Sequence, residues 1–315
     1  MKPKPQHVLV TGGAGYLGSI LVPRLLEAGW HVTVLDSFLY RQTPLLESCA
    51  DERLEVVRGD ARDRELVKSL LKGADAVIPL ACLTGAPLCD RDPWAAREVN
   101  LDAVRMILEL RSPRQVVIYP NTNSGYGVGM KGKPCTEASP LRPVSLYGRL
   151  KVEAENAVLD AGNSLTFRFA TLFGMSTRMR LDLLVNDFVW RACQDGFVVL
   201  FEADFKRNYL HVRDAAGAFL HALSHFDRMK GRPYNAGLSD ANLSKRELCE
   251  KIRKVLPKFV FLEAAVGKDP DKRDYVVSND RIEAAGFRPV HTLEAGIREL
   301  VKGYRILPRH PMGNV

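Results

Sequence analysis

The stretch VLVTGGAGYLG at residues 8–18 restricts the fold of this chain more than any other feature. Apolar or β-branched residues at 8–11 predict a buried strand that runs directly into glycines. Gly12 can adopt backbone angles closed to other residues, Gly15 lets the main chain approach a pyrophosphate, and Gly18 lets the next helix pack on the strand. That helix, expected over 17–26, directs free N–H groups and its positive dipole end at the phosphates. The stretch therefore predicts a strand, a phosphate-binding turn and a helix.

A carboxylate follows the next expected strand. Residues 31–35 (HVTVL) predict a second buried strand, and Asp36 closes it. A carboxylate at this point can accept both ribose hydroxyls of an adenosine and repels a 2′-phosphate, so it favours NAD over NADP. Arg41 lies close enough in sequence to offset that repulsion, and a glycine-rich turn in another kind of βαβ protein is the alternative interpretation.

Strands and helices alternate along the first half of the chain. Further strands are expected over 54–57, 76–80, 116–119 and 165–169, and helices over 64–71, 93–110 and 145–161. This order predicts an α/β fold with a doubly wound parallel Rossmann sheet. The loop at 121–144 is long, and such loops commonly carry the site.

The regular alternation ends near residue 170, which we take as the boundary between two lobes. We expect an NAD-binding Rossmann domain over 1–170 that also takes in 206–226. A smaller mixed α/β substrate-binding lobe is expected over 171–315, with helices over 181–194, 212–226, 244–256 and 292–303.

Composition excludes several protein classes. The 315 residues are 46% hydrophobic and 26% charged, which is ordinary for a globular protein. The apolar runs are far shorter than a membrane span, and the opening MKPKPQH is not followed by a signal-peptide pattern. The six cysteines show neither a CxxC pair nor zinc-like spacing, which favours reduced thiols. We therefore expect a cytoplasmic protein with no membrane partner.

The formal charge of +8 suggests anionic ligands. The basic residues are scattered and lack interleaved aromatic residues, so we expect small anions and no nucleic-acid partner. His221 and His225 could share one face of an expected helix, but no third ligand accompanies them. We therefore expect no metal site.

Tyr147 and Lys151 form the second informative pattern. Four residues apart, they share one face of an expected helix. The ammonium could stabilise the tyrosinate and lower the pKa of the phenol from its unperturbed value of about 10. The pair could then act as acid and base near neutral pH. The same spacing occurs on solvated helices, and it gains weight here because it follows a Rossmann opening and a strand with hydroxyl residues at its tip.

These motifs resemble the extended short-chain dehydrogenase/reductases of the nucleotide-sugar epimerase/dehydratase family. The resemblance covers almost the whole chain. It is carried by TGGAGYLG, Asp36, Gly59-Asp60, Leu80-Ala81, Asn100, NTNSGYG, TEASPLRPVSLYGRLKVEAE and RNYLHVRD. The chain has Pro79-Leu80-Ala81-Cys82 where the family often shows His-Leu-Ala-Ala, a small departure because the backbone makes most of that contact.

The resemblance implies an NAD site. Asp60 would approach the adenine, Leu80-Ala81 would pass under the ribose and nicotinamide, and Lys151 would hold the nicotinamide ribose. The full set of cofactor-binding residues expected is Gly12, Gly15, Tyr16, Leu17, Gly18, Asp36, Asp60, Ala61, Leu80, Ala81, Asn100, Tyr147 and Lys151.

The resemblance also implies a nucleoside-diphosphate sugar as substrate. Thr122 falls where the family places its catalytic Ser or Thr, and Ser124 is the competing candidate. Arg207 aligns with the arginine of the family's R-D-Y-I-H-V segment and, with its rigid fork of donors, would bind the diphosphate. The remaining expected substrate-binding residues are Arg273, Asn186 and Thr84.

The implied reaction begins with oxidation of a sugar carbon, C4. Tyr147 would remove the hydroxyl proton, Thr122 and Lys151 would assist, and the hydride would leave to NAD. Epimerisation is the favoured outcome, and a 4-dehydrogenase that releases a keto sugar is the alternative. A reductase or dehydrogenase of a small alcohol or ketone is a second alternative, although two phosphate-binding arginines argue against it.

Two further expectations come from the resemblance. Dehydratases of the family carry an Asp-Glu pair where this chain has Asn123-Ser124, so we expect no 4,6-dehydration. The family also implies a homodimer through the helices that begin near Pro93 and Ser145. A non-enzymatic NAD sensor is disfavoured, because it would not need Tyr147, Lys151 and Thr122 together.

Overall fold

A seven-stranded parallel sheet forms the centre of the computed structural model, which describes residues 6–40, 43–129, 133–264 and 273–307. Its strands are β1 (His7–Thr11), β2 (His31–Asp36), β3 (Leu54–Arg58), β4 (Ala76–Pro79), β5 (Val116–Thr122), β6 (Ser164–Phe169) and β10 (Pro233–Ala236). They lie in the order β10-β6-β5-β4-β1-β2-β3, and every neighbouring pair is parallel. The chain thus winds outward in both directions from β1, and the predicted Rossmann sheet is confirmed. The crevice at such a switch point is where open α/β sheets bind ligands.

Both faces of this sheet are covered because its central strands are apolar on both sides. On β1, Val8 and Val10 pack into one core and Leu9 into the other. Two helices on the first face pack together, α1 (Gly18–Glu27) and α8 (Val212–Ser224). The second face carries α2 (Arg64–Leu71), α5 (Ala103–Leu110) and α6 (Leu146–Asp160). Continuous apolar runs of this kind are typical of parallel sheets buried on both faces.

Two small sheets complete the described strands. One has the order β11-β9-β7, from β11 (Asn242–Ser244), β9 (Lys206–His211) and β7 (Thr171–Phe173). The other pairs β12 (Val260–Glu263) with β8 (Phe197–Leu200). The helices of this part are α7 (Leu184–Gln194), α9 (Phe226–Met229), α10 (Lys245–Val255), α11 (Asp280–Ala284) and α12 (Leu293–Gly303).

The observed elements differ from the sequence-based expectations in three places. A short helix, α3 (Ala86–Arg91), precedes the helix expected over 93–110. That helix consists of α4 (Pro93–Arg97), a π-helical segment (Glu98–Asp102) and α5. The large sheet takes its seventh strand, β10, from beyond residue 170, so elements of the two expected lobes interleave along the chain.

Two further features concern the cysteines and the length of the helices. All six cysteines carry free thiols. Within the described ranges, none of the helices combines the length and apolar character needed to cross a membrane.

Candidate active site

The glycine-rich turn has the geometry that its sequence predicts. Gly12 has φ of +71°, in the left-handed region that favours glycine. A Cβ at Gly12 would lie 2.5 Å from the backbone nitrogen of Ala81, and a Cβ at Gly18 would collide with the carbonyl of Gly13. The first glycine therefore lets β1 and the segment after β4 approach each other, and the second lets α1 start directly against the turn.

Asp36 is fixed at the carboxyl end of β2. The Ala14 N–H donates to its Oδ2 atom at 2.9 Å, and the Phe38 N–H donates to its Oδ1 atom at 2.8 Å. The carboxylate therefore stands beside the phosphate-binding turn in one orientation. Arg41, the residue that could offset its repulsion of a 2′-phosphate, lies outside the described residues.

A cavity of about 900 Å³ opens at the carboxyl ends of the central strands. It is lined by most of the residues expected to bind the cofactor: Gly12, Gly15, Tyr16, Leu17, Gly18, Asp36, Asp60, Ala61, Leu80, Ala81, Tyr147 and Lys151. The size suits an extended ligand, and the residues present at its wall fit a dinucleotide.

Asn100 is the one expected cofactor residue that the structure does not place in this wall. It is 1% exposed, its amide oxygen accepts from the Leu83 N–H at 2.8 Å, and its amide nitrogen donates to the Leu83 carbonyl at 2.9 Å. Both polar atoms of the side chain are thus used on one backbone segment. Asn100 therefore holds the loop after β4, which lines the cavity from Leu80 to Gly85.

Helix α6 and strand β5 bring the expected catalytic residues to the same cavity. The Ser145 side chain caps α6 by accepting from the Gly148 N–H at 3.1 Å, which sets the helix start beside Tyr147. Tyr147 and Lys151 lie on that helix, and Thr122 ends β5. All three side chains line the cavity.

The electrostatics of Tyr147 differ from the sequence-based expectation. Burial raises the pKa of its phenol above the usual value, the neighbouring Cys82 raises it further, and Arg180 and Arg273 lower it. Burial also lowers the pKa of Lys151, whose Nζ lies 3.9 Å from the centroid of the Tyr119 ring. The pKa of the phenol is thus raised and not lowered as expected, because removal from water outweighs the neighbouring cations Arg180 and Arg273.

The two hydroxyl candidates are hydrogen-bonded to each other. Thr122 Oγ1 donates to Ser124 Oγ at 2.9 Å, and Ser124 is 2% exposed while Thr122 is half-buried. The Ser124 oxygen also accepts a hydrogen bond from the Arg273 guanidinium. Of the two, Thr122 presents more of its side chain to the cavity.

Arg207, Arg273 and Thr84, three of the expected substrate-binding residues, also line the cavity. Arg207 is 3% exposed, and its guanidinium carbon lies 5.8 Å from the centroid of the Tyr275 ring. A guanidinium held rigidly in a nearly dry wall is suited to a phosphate.

Asn186 does not line the cavity. It is fully buried, its amide oxygen accepts from the Gly174 N–H at 3.1 Å, and its amide nitrogen donates to the Arg180 carbonyl at 2.9 Å and the Tyr16 hydroxyl at 3.2 Å. Its hydrogen-bonding capacity is spent on the protein, so it supports the cavity wall from behind.

Sequence reasoning missed five cationic residues in the cavity wall: Arg62, Arg91, Arg178, Arg180 and Lys245. Arg180 forms an ion pair with Asp182 at 2.5 Å, and the Lys245 ammonium donates to the Phe201 carbonyl at 2.8 Å. For Arg178 and Arg180, the sequence did offer a signal, because both arginines stand in the stretch STRMRLD.

His221 and His225 lie side by side, and each ring bonds the backbone. Their rings stack with centroids 4.2 Å apart, and one nitrogen of each bonds a backbone carbonyl, of Ala285 at 2.9 Å and of His221 at 3.0 Å respectively.

Comparison with known proteins links this geometry to a family. The sequence model of the NAD dependent epimerase/dehydratase family matches residues 8–237. A probable UDP-arabinose 4-epimerase 1 from Oryza sativa subsp. japonica is 27% identical over 287 residues, which cover 79% of this chain and 68% of that protein.

Two solved structures share the fold over nearly the whole chain. The UDP-glucose 4-epimerase of Thermus thermophilus in complex with NAD has a TM-score of 0.81 and 26% identity, covering 95% of this chain and 99% of that one. DesIV, a dTDP-glucose 4,6-dehydratase from Streptomyces venezuelae, has a TM-score of 0.82 and 27% identity, with 96% and 97% covered.

Proposed function

Because the chain belongs to the NAD dependent epimerase/dehydratase family, we propose that it oxidises a nucleoside-diphosphate sugar at C4, and that epimerisation is the outcome. The family of the chain and the use of NAD as cofactor both agree with the predictions made from the sequence motifs. One observation carries the proposal: Tyr147, Lys151 and Thr122 share a single cavity with the glycine-rich turn and Asp36 at one end and Arg207 and Arg273 in the wall.

The residues that would hold NAD are those of the turn and of the neighbouring strand ends. The helix α1 N-terminus would face the pyrophosphate, and the fixed Asp36 carboxylate would accept the ribose hydroxyls. Because Gly12 has no side chain, its backbone can approach the backbone of Ala81 closely at this end of the strands. NAD, when bound, supplies a hydride acceptor.

The chain's own residues orient the sugar and move the proton. Tyr147 would take the proton of the C4 hydroxyl. The Thr122 hydroxyl, turned from Ser124 toward the sugar, would donate to the same oxygen as it becomes a carbonyl oxygen. Ser124 would position Thr122, since its hydroxyl oxygen accepts from both Thr122 and Arg273. Arg180 and Arg273 lower the pKa of the Tyr147 phenol and so favour the phenolate, the form that can accept this proton.

The diphosphate would lie against Arg207 and Arg273. Both guanidinium groups line the cavity, and charge-assisted hydrogen bonds to phosphate are short and strong. Holding the diphosphate fixes the distance from phosphate to sugar, which delivers one sugar carbon to Tyr147.

The test is a substrate screen. First, the purified protein is denatured and any released NAD or NADH is identified. Intact protein is then incubated with a panel of nucleotide sugars, and the masses of the products are measured by mass spectrometry. An unchanged mass with inverted configuration supports epimerisation, whereas the loss of two hydrogens points to a released keto sugar. Loss of one water would contradict our expectation that Asn123 and Ser124 cannot support dehydration, and turnover of small alcohols alone would contradict the nucleotide-sugar proposal.

We also propose a homodimer in the cytoplasm. The outer faces of α5 and α6 are joined by Arg105 and Glu153 at 3.8 Å, and Trp94 at the start of α4 is 79% exposed. The six free thiols support a reducing compartment. Sedimentation of wild type and of Trp94→Ser would test the dimer, and a monomeric wild type would contradict it.

A further inference from the structure

One wall of the cavity is a strap, defined as residues 174–180, that crosses from the second lobe to the glycine-rich turn. The Tyr16 hydroxyl donates to the Gly174 carbonyl at 2.7 Å, and the Ser176 hydroxyl donates to the Tyr16 carbonyl at 2.9 Å. The hydroxyl oxygen of Ser176 lies 2.6 Å from that of Ser19, which is on the first turn of α1. The strap is therefore fastened directly to the helix end that would face the pyrophosphate.

The strap also reaches the loop after β2. The Thr177 hydroxyl donates to the Pro44 carbonyl at 3.2 Å. The Arg178 guanidinium carbon lies 4.0 Å from the centroid of the Tyr40 ring, and both side chains line the cavity. The strap thus spans the cavity from the α1 N-terminus to the strand end that carries Asp36.

Arg178 is the cation that this strap carries into the cavity wall. It is 3% exposed, and its backbone N–H donates to Ser176 Oγ at 3.3 Å. Burial and the nearby Arg180 lower its pKa, whereas Tyr40, Asp182 and Asp36 act in the opposite direction. Its guanidinium lies against the Tyr40 ring in the cavity wall, and a planar fork of donors is suited to phosphate. The glycine-rich turn itself contributes backbone N–H groups and no basic side chain.

We propose that Arg178 binds the pyrophosphate of NAD from the side opposite the glycine-rich turn, so that the strap holds the cofactor in place. This inference rests on the proposed function only in taking NAD as the ligand. The turn would bind the two phosphates through N–H groups and the helix dipole, and Arg178 would supply the neutralising charge and a fork of donors. A retained cofactor suits a reaction that returns its hydride to the same sugar.

The test compares binding of three probes without any sugar: NAD, ADP and adenosine. In Arg178→Gln we expect the dissociation constants of NAD and ADP to rise about tenfold or more, since a charge-assisted contact to phosphate is lost. Adenosine, which has no phosphate, should change less than about twofold. Arg178→Lys should recover part of the loss because it keeps the charge, and Arg298→Gln, a surface arginine on α12 that pairs with Glu294, should behave as wild type.

A second variant tests the proposal in case Arg178→Gln does not fold. Tyr40→Leu keeps the charge and removes the ring beside which the guanidinium lies, so NAD should dissociate several-fold faster in a chase with excess NAD. Unchanged NAD and ADP affinity in Arg178→Gln, equal weakening of ADP and adenosine, or unchanged dissociation in Tyr40→Leu would each overturn the inference. A wild type that binds no NAD would instead contradict the proposed function.

Discussion

The Asn121 side-chain amide donates a 2.6 Å hydrogen bond to the carboxylate of Glu155. Asn121 directly precedes Thr122 on β5, and Glu155 lies on α6, one turn beyond Lys151. Arg168 on β6 completes the link through an ion pair of 2.7 Å with the same carboxylate, which is 1% exposed. This buried contact fixes the strand that ends in Thr122 against the helix that carries Tyr147 and Lys151.

We expect Glu155→Gln to destabilise the protein by about 3–5 kcal/mol, because it leaves the buried Arg168 cation without a compensating charge. The measurement is denaturant unfolding. The matched control is Glu294→Gln, which is exposed on α12 and 2.7 Å from Arg298, and it should change the free energy of unfolding by less than about 1 kcal/mol. Equal effects of the two substitutions would show that the buried contact has no special weight.

The pH dependence of turnover should report the phenol of Tyr147. Its pKa is raised by burial, so the phenol is protonated at neutral pH, and the rate of proton removal should increase as the pH rises. Arg180→Gln removes a cation that lowers this pKa, and the pH–rate profile should therefore move to higher pH. Arg180→Lys keeps the cation and should leave the profile close to that of wild type. A shift to lower pH in Arg180→Gln would contradict the assignment.

Arg207→Ala should weaken binding of the substrate's nucleoside diphosphate while sparing NAD. A buried phosphate would lose a charge-assisted contact worth about 1.5–3 kcal/mol. Calorimetry with the nucleoside diphosphate and with NAD measures both effects, and Arg298→Ala on the surface of α12 is the control. If the diphosphate affinity did not change, that role would pass to Arg273.

Cofactor choice should follow Asp36. Because two backbone N–H groups fix its carboxylate beside the turn, a 2′-phosphate would meet an oriented negative charge. We expect NAD to bind at least about tenfold more tightly than NADP by calorimetry, and Asp36→Asn to narrow the difference. Comparable dissociation constants in wild type would overturn this prediction.

The local pattern of the sequence was sufficient to predict the first strand, the glycine-rich turn and the strand that ends at Asp36. The strand, glycines and helix at residues 8–26 and the acid at Asp36 are set by neighbours in sequence, and the structure confirms their arrangement. The Tyr147 and Lys151 pair shares a face because helical spacing requires it. These features depend on few distant contacts.

Residues whose role depends on distant partners were not predictable in the same way. Asn100 and Asn186 were expected to contact ligands. The Asn100 amide instead bonds the backbone of Leu83, and the Asn186 amide bonds the backbone of Gly174 and Arg180. Only the folded chain brings these partners near. The pKa of Tyr147 likewise depends on burial, which spacing along a helix does not reveal. Arg178 lies in a loop whose path is set by bonds to Tyr16 and Pro44 across the cavity.

In the proposed reaction, hydrogen leaves C4 of the sugar as hydride, and Tyr147 accepts only the hydroxyl proton. The most direct measurement uses the nucleotide sugar found in the screen, carrying deuterium at C4 and converted by NAD-loaded protein in ordinary water. We expect all the deuterium in the product or in the nicotinamide ring, none in water, and less than about a tenth of the wild-type rate in Tyr147→Phe, a loss of at least ~1.4 kcal/mol. Tyr234→Phe, which removes a hydroxyl bonded to the Met229 carbonyl at 3.1 Å, should behave as wild type. Deuterium recovered in water, or a wild-type rate in Tyr147→Phe, would contradict the account.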